Sequence, residues 1–131
     1  MLNVATRLSD ADEKIVYQII GCGIAVHSEL GPGFKEHIYQ EAYCLELNVR
    51  GLKFEREKRI AVKYKTWQIP GQKIDLVVEG LVLVELKAVS KLKAIHKAQV
   101  ISYLRTTGLP LGLLMNFNSR RLKDSMQRIA L

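Results

Sequence analysis

The sequence predicts an α/β sandwich, helices flanking a central mixed β-sheet in the order α-α-β-β-β-α-β, and three observations carry that prediction. Two stretches near the start place apolar residues at helical spacing. Several apolar runs of strand length follow, bounded by glycine and other turn residues. A third helical stretch separates the last strong strand run from the others.

Ser9 opens the first helix as an N-cap, with Asp10, Asp12 and Glu13 in the first turn, where the helix dipole favours acids. Ile15, Ile19, Cys22 and Val26 form its apolar stripe, widened by Val16, Ile20 and Ile24. Gly21 and Gly23 weaken the helix and offer close packing on a neighbour. Gly31-Pro32-Gly33 ends it, with His27 and Glu29 read as surface residues. The second helix runs from about Lys35 to Val49 and is closed by Gly51. Glu36, Tyr39, Gln40 and Tyr43 fall on one face of it, and Ile38, Ala42 and Leu45 are expected on the apolar side. On spacing alone, Glu36 is an acid favoured at a helix N-terminus.

Phe54 to Lys65 reads as a strand, with Ile60, Val62 and Tyr64 on its buried face and Arg59, Ala61, Lys63 and Lys65 on its wet face. Trp67 with Pro70-Gly71 reads as a turn before the hairpin, the tryptophan either exposed and able to stack on a base or, the favoured reading, a partly buried turn aromatic. Lys63, Lys65 and Lys73 surround the approach to Asp75, either as phosphate contacts or as charges that blunt a sheet edge. The third helix runs from about Leu92 to Thr106, ends at Gly108, and carries His96, Gln99 and Tyr103, the last two as i, i+4 partners. Leu109 to Phe117 is apolar on both faces and so predicts a central strand. Residues 118–131 fit either a short helix or an edge strand.

The stretch from Lys73 to Lys87 organises the rest. It reads as two apolar strands joined near Glu79-Gly80 and interrupted by Asp75, Glu85 and Lys87. Charge within a buried hairpin is costly unless it is paired or holds an ion. Alternation puts Glu85 and Lys87 on one face. A two-residue loop at Glu79-Gly80 would pair Asp75 with Val84 and turn it to the other face. A three-residue loop, Val78-Glu79-Gly80, pairs Val77 with Leu81 and Asp75 with Leu83, and brings Asp75 to the face of Glu85 and Lys87. The second register is the one expected here. It separates the Asp75 and Glu85 backbones diagonally by roughly 7–8 Å.

The totals bound the function. One domain over residues 1–131 is expected, with ordinary globular composition, 48% hydrophobic and 25% charged. No run approaches a membrane span and Met1–Arg7 lacks a signal-peptide core, so a cytoplasmic protein is expected. Cys22 and Cys44 lack metal-ligand spacing and read as buried free thiols. The net charge of +7 is uneven: residues 1–46 hold three Lys/Arg against seven Asp/Glu, and residues 47–131 hold seventeen against six. A basic face of that kind suits a polyanion, with nucleic acid the first candidate. No nucleophile elbow, phosphate-binding glycine loop or dinucleotide fingerprint occurs, and His27, His37 and His96 do not make a zinc pattern.

Three motifs resemble one family. Asp75-x9-Glu85-x-Lys87 across a hairpin resembles the PD-(D/E)xK nuclease superfamily, with Ile74 where the superfamily's name has proline. Gly33-Phe34-Lys35-Glu36-His37-Ile38-Tyr39 matches the G-x-x-E-x-x-Y motif of the small GxxExxY proteins assigned to that superfamily. Gln99 and Tyr103 match the Q-x-x-x-Y element of its exonuclease branch. The resemblance covers roughly residues 12–131.

The resemblance implies a PD-(D/E)xK nuclease-like sandwich and hydrolysis of phosphodiester bonds in DNA. It implies a divalent ion, Mg²⁺ by default with Mn²⁺ able to substitute, held by Asp75, Glu85 and the backbone carbonyl of Leu86. Glu36 would orient a water or help hold a second ion, and Lys87 would orient the attacking water or stabilise charge on the phosphate. Tyr39 would support the site or contact substrate, and Gln99 and Tyr103 would position substrate phosphate or Lys87. Two alternatives keep the fold without the chemistry: an inactive nucleic-acid-binding module, and an interaction subunit of a larger assembly. A homodimer is a further expectation, since so small a domain has little surface for specificity.

Overall fold

The computed structural model describes residues 8–131, so the reading of Met1–Arg7 lies outside the described residues. Three helices, α1 (Asp10–Leu30), α2 (Glu36–Val49) and α3 (Ala94–Thr107), pack on a sheet of five strands. The strands are β1 (Phe54–Tyr64), β2 (Trp67–Val78), β3 (Val82–Lys87), β4 (Leu111–Asn116) and β5 (Met126–Ile129). They lie side by side in chain order. Only β3 and β4 are parallel, joined by the α3 crossover, while the other neighbours are antiparallel. The α/β sandwich and its element order are those expected. The 118–131 segment resolves into both readings, a 3₁₀ turn at Leu122–Ser125 followed by the edge strand β5.

The sheet separates two cores. On one face α1 and α2 bury Val16, Ile19, Cys22, Tyr39, Tyr43 and Leu47 against Leu76, Val84, Leu86, Leu113 and Met115. On the other face α3 buries Val100, Tyr103 and Leu104 against Ile74, Val77, Leu83 and Leu114. Ser9 caps α1 as expected, its Oγ accepting from the Asp12 N–H at 3.0 Å. Gly23 sets how closely α1 lies: a Cβ there would meet Met115 Sδ at 3.0 Å and Leu122 and Tyr43 carbons at 3.2 Å. Gly112 does the same for α3, since a Cβ would fall 2.6 Å from Val100 Cγ1. Cys22 and Cys44 are buried free thiols.

Four expectations are corrected. His27 is buried rather than on the surface, its Nε2 2.8 Å from the Ser119 carbonyl oxygen. The inner side of α2 is the Tyr39, Gln40, Tyr43 face, and Ile38 and Leu45 are exposed. Tyrosine rings bring more apolar area than the aliphatic side, and their hydroxyls find partners, as when Tyr43 donates to the Ile19 carbonyl at 2.5 Å. Pro70-Gly71 is no turn. It is a bulge within β2, where the ladder slips between Ile60 and Val62, and the turn lies at Lys65-Thr66. Val62, Tyr64 and Trp67 are therefore exposed on a hairpin that outruns the sheet.

Candidate metal and nuclease site

The β2–β3 loop differs from the expected one and improves the site. Glu79 and Gly80 take φ of 55° and 60°, and the Leu81 N–H returns to the Val78 carbonyl at 3.0 Å. Lys53 anchors the loop, its N–H donating to Glu79 Oε2 at 2.7 Å and its carbonyl accepting from Glu79 N–H at 2.8 Å. The loop is thus Glu79-Gly80-Leu81, which pairs Val78 with Val82 and Val77 with Leu83. The expected register is off by two residues. A shift of two leaves every side chain on its expected face. It also carries Asp75 from a diagonal position to one directly opposite Glu85.

There the regular ladder gives way to a side-chain clasp. The Asp75 N–H donates to Glu85 Oε1 at 3.0 Å, and the Leu86 N–H donates to Asp75 Oδ2 at 2.8 Å. Each strand's backbone thus holds the other strand's carboxylate. Lys87 Nζ lies 3.8 Å from Glu85 Oε2 and donates to Gln99 Oε1 of α3 at 3.0 Å. Gln40 of α2, which the motifs do not mark, reaches Asp75 Oδ1 at 3.5 Å while accepting from Arg56 Nε at 2.9 Å. Its place on the Glu36–Tyr43 face was the one signal that could have found it. Asn116, at the end of β4, fixes the loop after Lys87 by bonding both backbone groups of Val89.

The electrostatics of the clasp are unfavourable to its own charges. Burial, then the neighbouring Asp75, pushes the Glu85 carboxyl from its ordinary range up to about 8, against the pull of the Asp75 N–H and Lys87. Burial also raises Asp75, partly offset by the Leu86 N–H and by Lys87. Glu36 is raised by burial and by Asp75. Tyr103, 3% exposed in the α3-side core, is pushed up to about 12 by burial and then by Glu85 and Asp75.

The remaining expected residues fall into two groups. Glu36 opens α2 within electrostatic reach of Asp75 and Lys87, and Gly33, at φ 110°, shapes the turn that leads to it. Among the described residues no group of three or more His, Cys, Asp or Glu side chains gathers closely enough to hold a metal, so Glu36 stands outside the Asp75–Glu85 pair. Tyr39 is fully buried, donating to the Gly31 carbonyl at 2.6 Å and accepting from the Phe34 N–H at 3.1 Å. Of the roles open to it, that leaves support of the loop before Glu36. Beside Lys87, an open cleft of about 450 Å³ runs along Gln72, His96, Gln99 and Ser102.

The donor set fits a hard divalent cation. Two opposed carboxylates supply oxygen ligands, and all three raised carboxyls would be relieved by positive charge. Mg²⁺ characteristically takes one or two protein carboxylates and keeps several waters, so a third acid in the cluster is not required.

Fold and site together are those of a nuclease-like α/β protein. The family model described as the PD-(D/E)XK nuclease superfamily matches residues 13–129, and the chain belongs to that superfamily. The matched span takes in all three helices but for the first turn of α1, the whole sheet and the clasp. No curated protein and no solved structure matches the chain. Membership supports a nuclease-like function with nucleic acid as the substrate class. No helix among the described residues is long and apolar enough to cross a membrane.

Proposed function

We propose that this chain is a Mg²⁺-dependent nuclease that hydrolyses phosphodiester bonds in DNA, with Mn²⁺ able to replace Mg²⁺, and that it is of the GxxExxY kind. The observation that carries the proposal is the reciprocal clasp of Asp75 and Glu85 with Lys87 beside it. A buried pair of like charges, each held in place by the other strand's backbone, is poor design for stability alone. Asp75, Glu85 and the carbonyl of Leu86 would hold the cation, which when bound supplies charge neutralisation and a more acidic water.

The chain's own residues then have distinct tasks. Gln99 holds the Lys87 ammonium toward the cleft, where it stabilises negative charge developing on the phosphate. Glu36, at the rim, orients a water. Tyr103, buried with Ile74 and Leu83 in the α3-side core, supports the strands that carry the pair. Gln40 keeps Asp75 turned toward Glu85, backed by Arg56. The superfamily match and the basic C-terminal part of the chain support nucleic acid as substrate. A single copy supplies every residue named, and light scattering tests the homodimer separately.

Labelled DNA and RNA substrates incubated with Mg²⁺, Mn²⁺ or EDTA, with wild type beside Glu85→Ala, test the proposal. Metal-dependent cleavage of DNA, absent from the variant, is expected. Equal products from both proteins would overturn it. Salt-sensitive binding without turnover would favour the inactive binding module.

A further inference from the structure

The nuclease reading leaves half of the β1–β2 hairpin without a task. β3 pairs with β2 only at Leu76–Val78, whereas β1 accompanies β2 from Val78 back to Trp67. Every residue of β2 from Trp67 to Lys73 is exposed. The hairpin is therefore an arm that projects past the sheet. Tyr64 stands opposite Trp67 and Val62 opposite Ile69, so these four side chains share one face. They are 57%, 62%, 38% and 51% exposed in that order, a contiguous apolar face with nothing packed on it among the described residues. The same face continues along β1 to Ile60, which packs against the α3 core, so it opens on the side of the sheet that carries Gln99 and Tyr103.

The arm is also basic throughout. Residues 58–73 hold five Lys/Arg and no Asp/Glu. Lys58 and Lys73 pair with Glu55 and Glu57, while Arg59, Lys63 and Lys65 make no ion pair among the described residues. Lys65 occupies the turn at φ 54°, with its Nζ 5.5 Å from the Tyr64 ring centroid. The Tyr64 and Trp67 rings lie 22° from parallel with centroids 6.4 Å apart.

We infer that the β1–β2 arm holds single-stranded nucleic acid, Trp67 and Tyr64 stacking on bases while Lys65, at the turn beside the Tyr64 ring, holds a phosphate; Arg59 and Lys63, on the reverse face of β1, add to the positive field that draws the strand in. This rests on the nuclease reading of the site. Aromatic faces open to solvent address bases, which a duplex keeps within its own stack, whereas cations alone suffice to track a duplex backbone. A second copy of the arm is a poor occupant, because like charges would meet across the contact. Trp67 lies eight residues before Asp75, about 26 Å at strand rise. A strand held at both places spans roughly seven or eight nucleotides at stacked-base spacing. The arm thus anchors the strand beyond the cleft and sets the distance from anchor to cut.

Trp67 is the chain's only tryptophan, so its emission reports on the arm alone. The full chain in EDTA is titrated with a labelled twelve-nucleotide single strand and with the corresponding duplex, reading anisotropy and tryptophan emission together. Single-stranded DNA is expected to quench Trp67 with the same midpoint as the anisotropy change, and the duplex to quench it less. Trp67→Ala should weaken single-strand binding about 5- to 100-fold. Lys65→Ala should flatten the salt slope by about 0.7, the share of one phosphate contact. Binding by anisotropy with unchanged emission, and with both variants at wild-type affinity, would overturn the arm while leaving the nuclease reading intact. No binding of either DNA at low salt would overturn both. Emission that changes with protein concentration in the absence of DNA would overturn it in favour of a protein contact.

Discussion

From Ile74 to Val78, β2 lies within the protein, with Asp75 half-buried among residues sealed from solvent; from Trp67 to Lys73 the same strand is exposed throughout. Both halves carry charge, and they treat it differently. In the inner half Asp75 takes a backbone N–H from β3 and its own N–H goes to Glu85, so two separate residues fix its position to within hydrogen-bond tolerance. In the outer half Lys73 meets Glu57 at 3.7 Å, both more than half exposed, a pairing of little energetic weight. Charge that must act at one point is buried and held by backbone. On the proposed reading, charge that need only attract a polyanion is left on flexible stems in water.

The comparison breaks most clearly at the clasp. Asp75→Asn keeps an oxygen for the Leu86 N–H but removes the charge, so the fold should persist while cleavage falls on the order of a thousandfold. Steady-state rates beside an unchanged circular-dichroism spectrum would show it. A variant that cuts within tenfold of wild type would mean that the buried half is only structural.

Metal-free stability gives the next largest effect. The Glu85 carboxyl titrates near 8 in the fold against an ordinary 4.5. Between those values the native carboxyl keeps a proton that the unfolded chain has lost, so folding takes up a proton and stability falls as pH rises. The contribution is complete below pH 4.5 and gone above 8, a loss on the order of a few kcal/mol. Urea unfolding in EDTA across this range should follow that slope, and Glu85→Gln should flatten it. Mg²⁺, by binding the ionised pair, should restore stability at high pH. A flat wild-type profile in EDTA would show that solvent reaches Glu85 freely.

Much of the inner half was legible in the sequence and much of the outer half was not. The face shared by Asp75, Glu85 and Lys87 was found with the wrong loop, because side-chain direction depends only on whether the register shift is odd or even. The direct opposition of the two acids was not legible, since it depends on Glu79 taking a left-handed conformation and on the distant Lys53 holding it there. Pro70-Gly71 has the composition of a turn, and only the partner strand reveals it as a bulge. The burial of His27 depends on the Ser119 carbonyl, 92 residues away in the chain. The apolar side of α2 is hard to read because Tyr39 lies in a motif and Tyr43 shares its face with the polar Glu36 and Gln40, although both rings fill the core beside Phe117.

Tyr39 tests how far the clasp's precision extends. Tyr39→Phe removes the hydroxyl that joins the Gly31 carbonyl to the Phe34 N–H, and should cost about 1–2 kcal/mol of stability. If the loop's role is to aim Glu36, cleavage should fall more than the small unfolded fraction explains, with KM little changed. A loss of stability with full specific activity would confine Tyr39 to the core.

The smallest effect expected is on the arm's side. Trp67→Ala removes a large aromatic side chain, and a buried one would cost about 3–5 kcal/mol. Here the ring is 62% exposed and its aromatic neighbour is Tyr64, itself at the tip. The loss should therefore stay within about 0.5 kcal/mol, a shift in Tm of a few degrees at most. Asp75→Asn and Trp67→Ala would then form a complementary pair, one losing cleavage with the strand still held by the arm, the other losing single-strand affinity with the clasp intact. Failure of that separation would appear as a large drop in Tm for Trp67→Ala. It would mean that the outer half of β2 contributes to the fold as the inner half does, and that its exposed aromatics serve packing rather than nucleic acid.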